Sequence, residues 1–460
     1  MRNSSETNSV QDDAVNEPSN QYPGALEANY VLGLLFLAYT FSFIDRQVLG
    51  VLVGPIKADL QLSDFQFSLL QGSAFAIVYC LMALPFGRLA DAHSRKLIMA
   101  LGVFFWSLMT IGCGLAKSFT QLFVMRMAVG AGEAALSPAA YSTITDSFSR
   151  DKLTRAMAFY KAGTIAGGGL ALILGGKLYE YYASVDGLSL PLLGALNAWQ
   201  ATFISVGVPG FVIALLIFLT NEPERKGVMK VANKSPDESM DIKEVFTYMF
   251  VEHRQLYVSL FCGCSILAVM SYAYSSWFTE LLIRNFSLSR GEAGSMFGTV
   301  YMVSGLVGMF SGPSMVSFFQ KRGFQDANMR VLMYISMALL PFAVAAPLMP
   351  SHESALALIA LTVFFQASYL GVAAAAVQMV TPNQMRGQAT AIYIFATNML
   401  GLAIGSSLIA GITDFGFGDE SKLHYSISLA AGFLIPVTTF LFWKGLGAFG
   451  SAIRKSEEWC

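Results

Sequence analysis

Residues 66–116 read QFSLLQGSAFAIVYCLMALPFGRLADAHSRKLIMALGVFFWSLMTIGCGLA. Two apolar runs, 66–90 and 97–116, flank a polar loop in which Arg88, Asp91, Arg95 and Lys96 crowd together. A helix rises about 1.5 Å per residue, so a run of about 20 apolar residues crosses the roughly 30 Å of hydrocarbon in a bilayer. A loop this short returns the second run antiparallel to the first. The reading is therefore a pair of membrane helices joined by a charged turn.

The same unit recurs along the chain. Apolar spans are predicted at 29–53, 66–90, 97–116, 119–144, 155–182, 197–219, 255–283, 293–319, 329–349, 354–380, 388–411 and 424–446, twelve in all. Composition agrees: of 460 residues 55% are hydrophobic and 13% charged, with mean hydropathy +0.55. Ordinary soluble domains carry about 25% charged residues. A soluble fold could not hide this much apolar surface. A net charge of −1 gives no footprint for nucleic acid. Soluble enzymes, disordered chains and nucleic-acid binders are excluded. The fold class is an all-α membrane protein of twelve transmembrane helices in two six-helix bundles.

Residues 1–28 are polar and acidic and read as a disordered tail, 29–219 as the N-terminal bundle, 220–254 as a linker, 255–446 as the C-terminal bundle and 447–460 as a second tail. Of the 29 Lys and Arg residues, 19 fall on the side of both termini and 6 on the other. Arg2 lies in the tail; Arg46, Arg126 and Lys161 lie within spans. That asymmetry predicts cytoplasmic termini and a multi-pass protein of the inner (plasma) membrane. The two bundles echo each other. Arg155-Ala-Met-Ala158 opens the fifth span as Arg386-Gly-Gln-Ala389 opens the eleventh, 231 residues on, and Gly87 recurs as Gly312, 225 residues on. Transporters built from repeats bind their cargo near the midplane between halves.

Ionisable groups inside the spans carry the chemistry. Each costs about 2.5–3.5 kcal/mol at a helix centre, so it needs a partner or water. Asp45, Arg46 and Arg126 fall at one depth and Glu133 nearer the midplane, with Arg126 and Glu133 almost two turns apart on one helix face. Asp45 and Glu133 are predicted to couple protons, because burial and neighbouring guanidinium groups pull their protonation in opposite directions. Arg46 and Arg126 are predicted to meet an anionic cargo, since guanidinium matches phosphate geometry. An ion-pair network that merely locks the first and fourth spans together is the competing account. Tyr272, Trp277, Tyr369, Tyr393 and Asn398 in the uncharged second half are predicted to cradle an acyl chain. Gly163 and Gly167 allow close helix approach, for rocking halves or for simple tight packing.

The five cysteines read as small buried hydrophobes. The four histidines lie at loops or span ends and make no metal site, and no nucleophile–base set is present, so neither a cofactor nor an enzyme activity is expected.

The loop Gly87-Arg-Leu-Ala-Asp91-Ala-His-Ser-Arg95-Lys96 resembles the signature loop of the major facilitator superfamily, with Ser94 where glycine is usual, and Arg126-Met-Ala-Val-Gly130 resembles its second motif. Phe43-Ile-Asp45-Arg46-Gln47, Pro55-Ile-Lys57-Ala-Asp59-Leu, Leu62-Ser-Asp64 and Gly72-Ser-Ala-Phe75 are similar to Spinster-type transporters, which export sphingosine-1-phosphate and lysophospholipids in animals. The second half departs: after Gly312 the chain reads Pro-Ser-Met-Val-Ser, without the loop's aspartate. The resemblance implies a conformational latch of Gly87, Asp91, Arg95 and Asp146, with Asp91 facing the start of the eleventh span. It also implies alternating-access secondary transport of a sphingosine-1-phosphate-like lysolipid, proton-coupled, by a monomer among membrane lipids. A proton-coupled carrier of small organic anions on the same fold is the alternative. An intramembrane lipid enzyme and a non-transporting receptor are the remaining alternatives; the intact Gly87–Lys96 loop speaks against the receptor.

Overall fold

The computed structural model describes residues 22–148, 150–185, 187–190, 194–224 and 242–456, with the side chains of Asp91, Arg386 and a few others left out. The tail over 1–21, most of the linker (225–241) and 457–460 lie outside the described residues.

The N-terminal half comprises α1 (Ala25–Gln47), α2 (Val53–Leu60), α3 (Asp64–Gln71), α4 (Ser73–Ala92), α5 (Arg95–Gly114), α6 (Phe119–Glu133), α7 (Leu136–Ser147), α8 (Arg150–Ser184) and α9 (Ala198–Phe218), with a small hairpin of β1 (Leu188–Leu190) and β2 (Gly194–Leu196). A short helix, α10 (Ile242–Thr247), leads into the second half: α11 (Arg254–Phe286), α12 (Arg290–Lys321), α13 (Ala327–Ala345), α14 (His352–Met379), α15 (Asn383–Gly411) and α16 (Leu423–Ser456). Among the described residues, eleven helical stretches are long and apolar enough to cross a membrane. The twelfth crossing is the broken pair α6–α7, because α5 ends on one face and α8 begins on the other. The expected twelve-helix membrane fold is present.

The breaks have local causes. Pro138 has no N–H, and its ring would collide with the carbonyl of Ala134 in a continuous helix, so the chain turns at Ala134–Ala135 and restarts with proline in a first turn, where it is tolerated. Gly72 breaks the second span between α3 and α4; a Cβ there would stand 2.2 Å from the Leu402 carbonyl of α15, so only glycine lets the halves meet this closely.

Three expected boundaries move. Helix α1 begins at Ala25, inside the expected tail, because Ala28 is buried against the bundle. The linker contains α10 and a following turn of π-helix, whose Val245 and Met249 are buried. Helix α16 runs on to Ser456, since Phe449, Ala452 and Ile453 still find apolar partners beyond residue 446.

Alpha8 packs against α12 backbone to backbone: a Cβ on Gly169 would lie 2.8 Å from the Gly298 carbonyl, and one on Gly298 2.6 Å from that of Gly169. Gly163 and Gly167 face Phe36, Thr40 and Phe43 of α1 instead, within their own half. Among the described residues, the ion pairs between halves fall on the face opposite the termini, and the hydrogen bonds between halves fall there or in the layers beneath it, where Gln47 Nε2 donates to Ser275 Oγ at 3.5 Å. On the far face Asp64 receives both Arg284 nitrogens at 2.8 Å and Lys57 Nζ at 2.5 Å, and Lys57 reaches Glu420 at 2.6 Å. Arg290 donates to the Val51 carbonyl at 2.9 Å, and Asp414 accepts from Phe65 N at 2.7 Å. The halves are fastened at that far face.

Candidate substrate and proton site

The last turns of α1 set Ser42 and Arg46 on one face by their four-residue spacing. The end of α6 at the Pro138 break brings Glu133 against that face. Glu133 Oε2 accepts from Ser42 Oγ at 2.5 Å and from Arg46 Nε at 2.6 Å. The Arg46 guanidinium is packed by Phe43, Phe75 and Tyr79, at 4.7, 4.6 and 4.7 Å from the ring centroids. Arg126, seven residues before Glu133, donates to the backbone carbonyls of Asp45 at 3.2 Å and Leu70 at 3.4 Å. Asp45 Oδ2 accepts from Thr110 Oγ1 at 3.2 Å.

The four groups predicted from sequence thus meet in one cluster. Asp45, Arg126 and Glu133 are 2%, 1% and 1% exposed, so they lie beneath the cavity wall, and the side chain of Arg46 is the lid over Glu133. Three polar atoms in the cluster have no hydrogen-bond partner: Asp45 Oδ1, Glu133 Oε1 and Arg126 Nη2. Buried polar atoms without protein partners are uncommon, and each of these three has bonding capacity to spare for a water, a proton or a ligand atom.

Arg46 borders a small cavity between the halves, shared with Gln47, Gln71, Phe75, Tyr272 and Ser275. A second, largely apolar cavity opens between α8, α11, α12 and α14, lined by Ile165, Phe297, Tyr301, Val363 and Leu370, with Gln366 at its wall. Ser275 borders both. Gln71 has both amide atoms unpartnered although only 8% exposed.

The aromatic residues expected in the second half separate by role. Tyr272 lines the Arg46 cavity. Trp277 is fully buried and donates its indole N–H to the Ser406 carbonyl at 2.9 Å, beneath the far-face closure. Tyr369 and Tyr393 are buried in the second bundle, Tyr393 with its ring 5.5 Å from Phe261, and Asn398 is half-buried on α15. Sequence reasoning passed over Ser42, Thr110, Gln71 and Tyr301. A lone hydroxyl or amide in an apolar span gives no signal until a neighbouring helix shows what it faces.

In the expected latch, Arg95 is fully buried and clamps three segments of its own half. It bonds Asp146 and Ser142 of α7, Glu222 at 3.0 Å and the Pro223 carbonyl at 2.6 Å beyond α9. Ser94 Oγ donates to Glu222 at 2.6 Å. Burial pulls the Glu222 carboxyl up, but Ser94 and Arg95 outweigh it and hold the group below the usual carboxylate range. Gly87 has open space around its Cα, and the Asp91 side chain lies outside the described residues.

Comparison with known proteins gives the same architecture. The sequence profile of the Major Facilitator Superfamily matches residues 35–406. An MFS-type efflux pump of Mycolicibacterium smegmatis is 25% identical over 85% of this chain and 86% of its own. A probable L-galactonate transporter of Escherichia coli is 25% identical over 66% of this chain, which spans 64% of that protein. The crystal structure of a bacterial homolog to the human lysosomal transporter Spinster, inward-facing and unoccupied, superposes with a TM-score of 0.75 at 25% identity, covering 95% of this chain and 98% of that one. The chain is a transporter of Spinster type, not an enzyme, and belongs to the Major Facilitator Superfamily.

Proposed function

We propose that this chain is a secondary active transporter of an anionic amphiphile, a lysolipid of the sphingosine-1-phosphate kind, driven by protons through alternating access. The observation that carries the reading is the junction at Ser275 of a cavity bordered by Arg46, Gln47 and Gln71 with one lined mainly by Ile165, Phe297, Tyr301, Val363 and Leu370. One end suits a charged head and the other a hydrocarbon tail. In this reading Asp45 and Glu133 hold the coupling proton, each offering a buried oxygen with no other partner. Arg46 is shared between Glu133 and cargo: an anion that draws Arg46 away leaves Glu133 uncompensated, which favours its protonation. That exchange couples the two ligands. Arg126 supports the site by fixing the backbone at Asp45 and Leu70. The orientation proposed places both termini in the cytoplasm at the plasma membrane, with the protein acting as a monomer among membrane lipids.

A second reading has support of its own. The likeness to an L-galactonate transporter, together with the Arg46, Gln47 and Gln71 side chains at the first cavity, suits a small organic anion on the same machinery.

Uptake into proteoliposomes, with and without a pH gradient, tests both readings. Labelled sphingosine-1-phosphate is expected to accumulate with the gradient and to be displaced by lysophospholipid. Accumulation of galactonate alone, with no lipid movement or competition, would replace the first reading by the second. Equal flux with and without the gradient would remove the proton from either.

A further inference from the structure

Lys161 has no part in the cluster just described. It lies on α8, on the termini side of the far-face closure, and its side chain is exposed. Its helix face is the one that α8 turns toward α12. Residues 161, 165 and 168 share one helix face; Ile165 sits under Gly305 of α12, and Gly168 meets the Tyr301 ring. Lys161 is therefore one turn to the termini side of the point where α8 and α12 touch. Its ammonium stands 5.1 Å from the Tyr141 ring centroid and 5.7 Å from that of Tyr39. Tyr160 fixes both rings, stacked on Tyr39 at 4.5 Å and edge-on to Tyr141 at 5.5 Å. Among the described residues no carboxylate lies within ion-pair distance of Lys161, whereas Arg46 is already bonded to Glu133. An ammonium in a membrane span without a counter-ion is costly, and such groups mark ligand paths.

An aromatic edge joins the two cations. Tyr39 meets Phe43 edge-on at 5.3 Å, and Phe43 carries Arg46. We propose that Lys161, in its cup of Tyr39, Tyr141 and Tyr160, is the residue that selects for an oxyanion, carboxylate or phosphate, at the termini-side mouth of the path. It holds that group before it passes along Tyr39 and Phe43 to Arg46. The inference rests on the anion-transport reading and adds to it a selecting residue.

The test is equilibrium binding to purified protein of two anion–neutral pairs: lysophosphatidate with monoacylglycerol, and galactonate with galactose. Lys161→Gln is expected to weaken the anion that the wild type holds by tenfold or more, while leaving any binding of its neutral partner unchanged. Lys161→Arg should stay within about threefold, since the charge is kept. In the wild type, the bound anion should also protect Lys161 from acylation by an amine reagent, a readout that needs no variant. An unchanged anion affinity in Lys161→Gln, or an equal loss for the neutral partner, overturns the assignment while the transport reading stands. A wild type that binds neither anion overturns both.

Discussion

The two halves share an architecture and differ in what they bury. The N-terminal half sinks four charged groups, Asp45, Arg46, Arg126 and Glu133, into one cluster between α1 and α6. Within its spans the C-terminal half buries Tyr369, Tyr393 and the amide of Gln366. Its buried Glu280 lies instead at the far face, paired with Arg284 at 2.9 Å. One half therefore has groups that can change charge, and the other has a surface that cannot. On the proton-coupled reading proposed above, this divides the labour: energy coupling would belong to the first half, and the shape and greasiness of the cavity to the second.

The comparison can be broken most directly at Arg126. Arg126→Ala leaves Asp45 and Glu133 short of a buried counter-charge, and a loss of about 3–5 kcal/mol is expected in denaturant or thermal unfolding in detergent. Gln366→Ala, its uncharged counterpart in the second half, should cost only about 1 kcal/mol. Equal losses would mean that the charges are not special. Glu133→Gln and Asp45→Asn sharpen the division. Each should cut gradient-driven uptake on the order of 100-fold, the range seen when a positioned proton-transfer group is removed, while the protein keeps its fold and cargo binding. If stability collapses and transport by the surviving protein is normal, the cluster is a lock and not a coupling device.

The far-face fastening crosses between halves and gives a smaller effect. Arg284→Ala removes both bonds to Asp64, and about a tenfold rise is expected in labelling of a cysteine introduced at Ser276, read from the far side. The smallest effect is at Glu222, outside the spans. Its folded-state value lies below that of an unfolded Glu, so it stabilises the protein above about pH 4.3 and loses that contribution as pH falls through the lower folded value. Thermal unfolding below about pH 4 should therefore steepen in the wild type and flatten in Glu222→Gln.

The broken helices show why sequence reading reached some contacts and missed others. Pro138 and the glycines before it are visible in the chain, yet the fourth span reads as one apolar run, because hydropathy averages over a break that costs no apolar residue. The depth arithmetic that aligned Asp45, Arg46 and Arg126 needed only the fixed rise of a helix, and the cluster follows it. Arg95 was legible as a latch residue, but its bond to Glu222 spans 127 residues and ends where the linker begins, beyond any periodic signal. Lys161 was legible as an odd charge in a span, and its tyrosine cup was not.

The sequence by itself determined the twelve crossings, the two-half repeat and the identities of the buried charges, because hydrocarbon excludes charge and unsatisfied backbone so strongly that length and hydropathy suffice. Tertiary structure decided the rest. That Arg46 and not Arg126 covers Glu133, that Trp277 supports the far-face closure and does not line the cavity, and that Lys161 lies over the rings of Tyr39 and Tyr141 all depend on helix rotation and on contacts between residues up to hundreds of positions apart. Such contacts are set by packing among neighbouring helices, which no local pattern encodes.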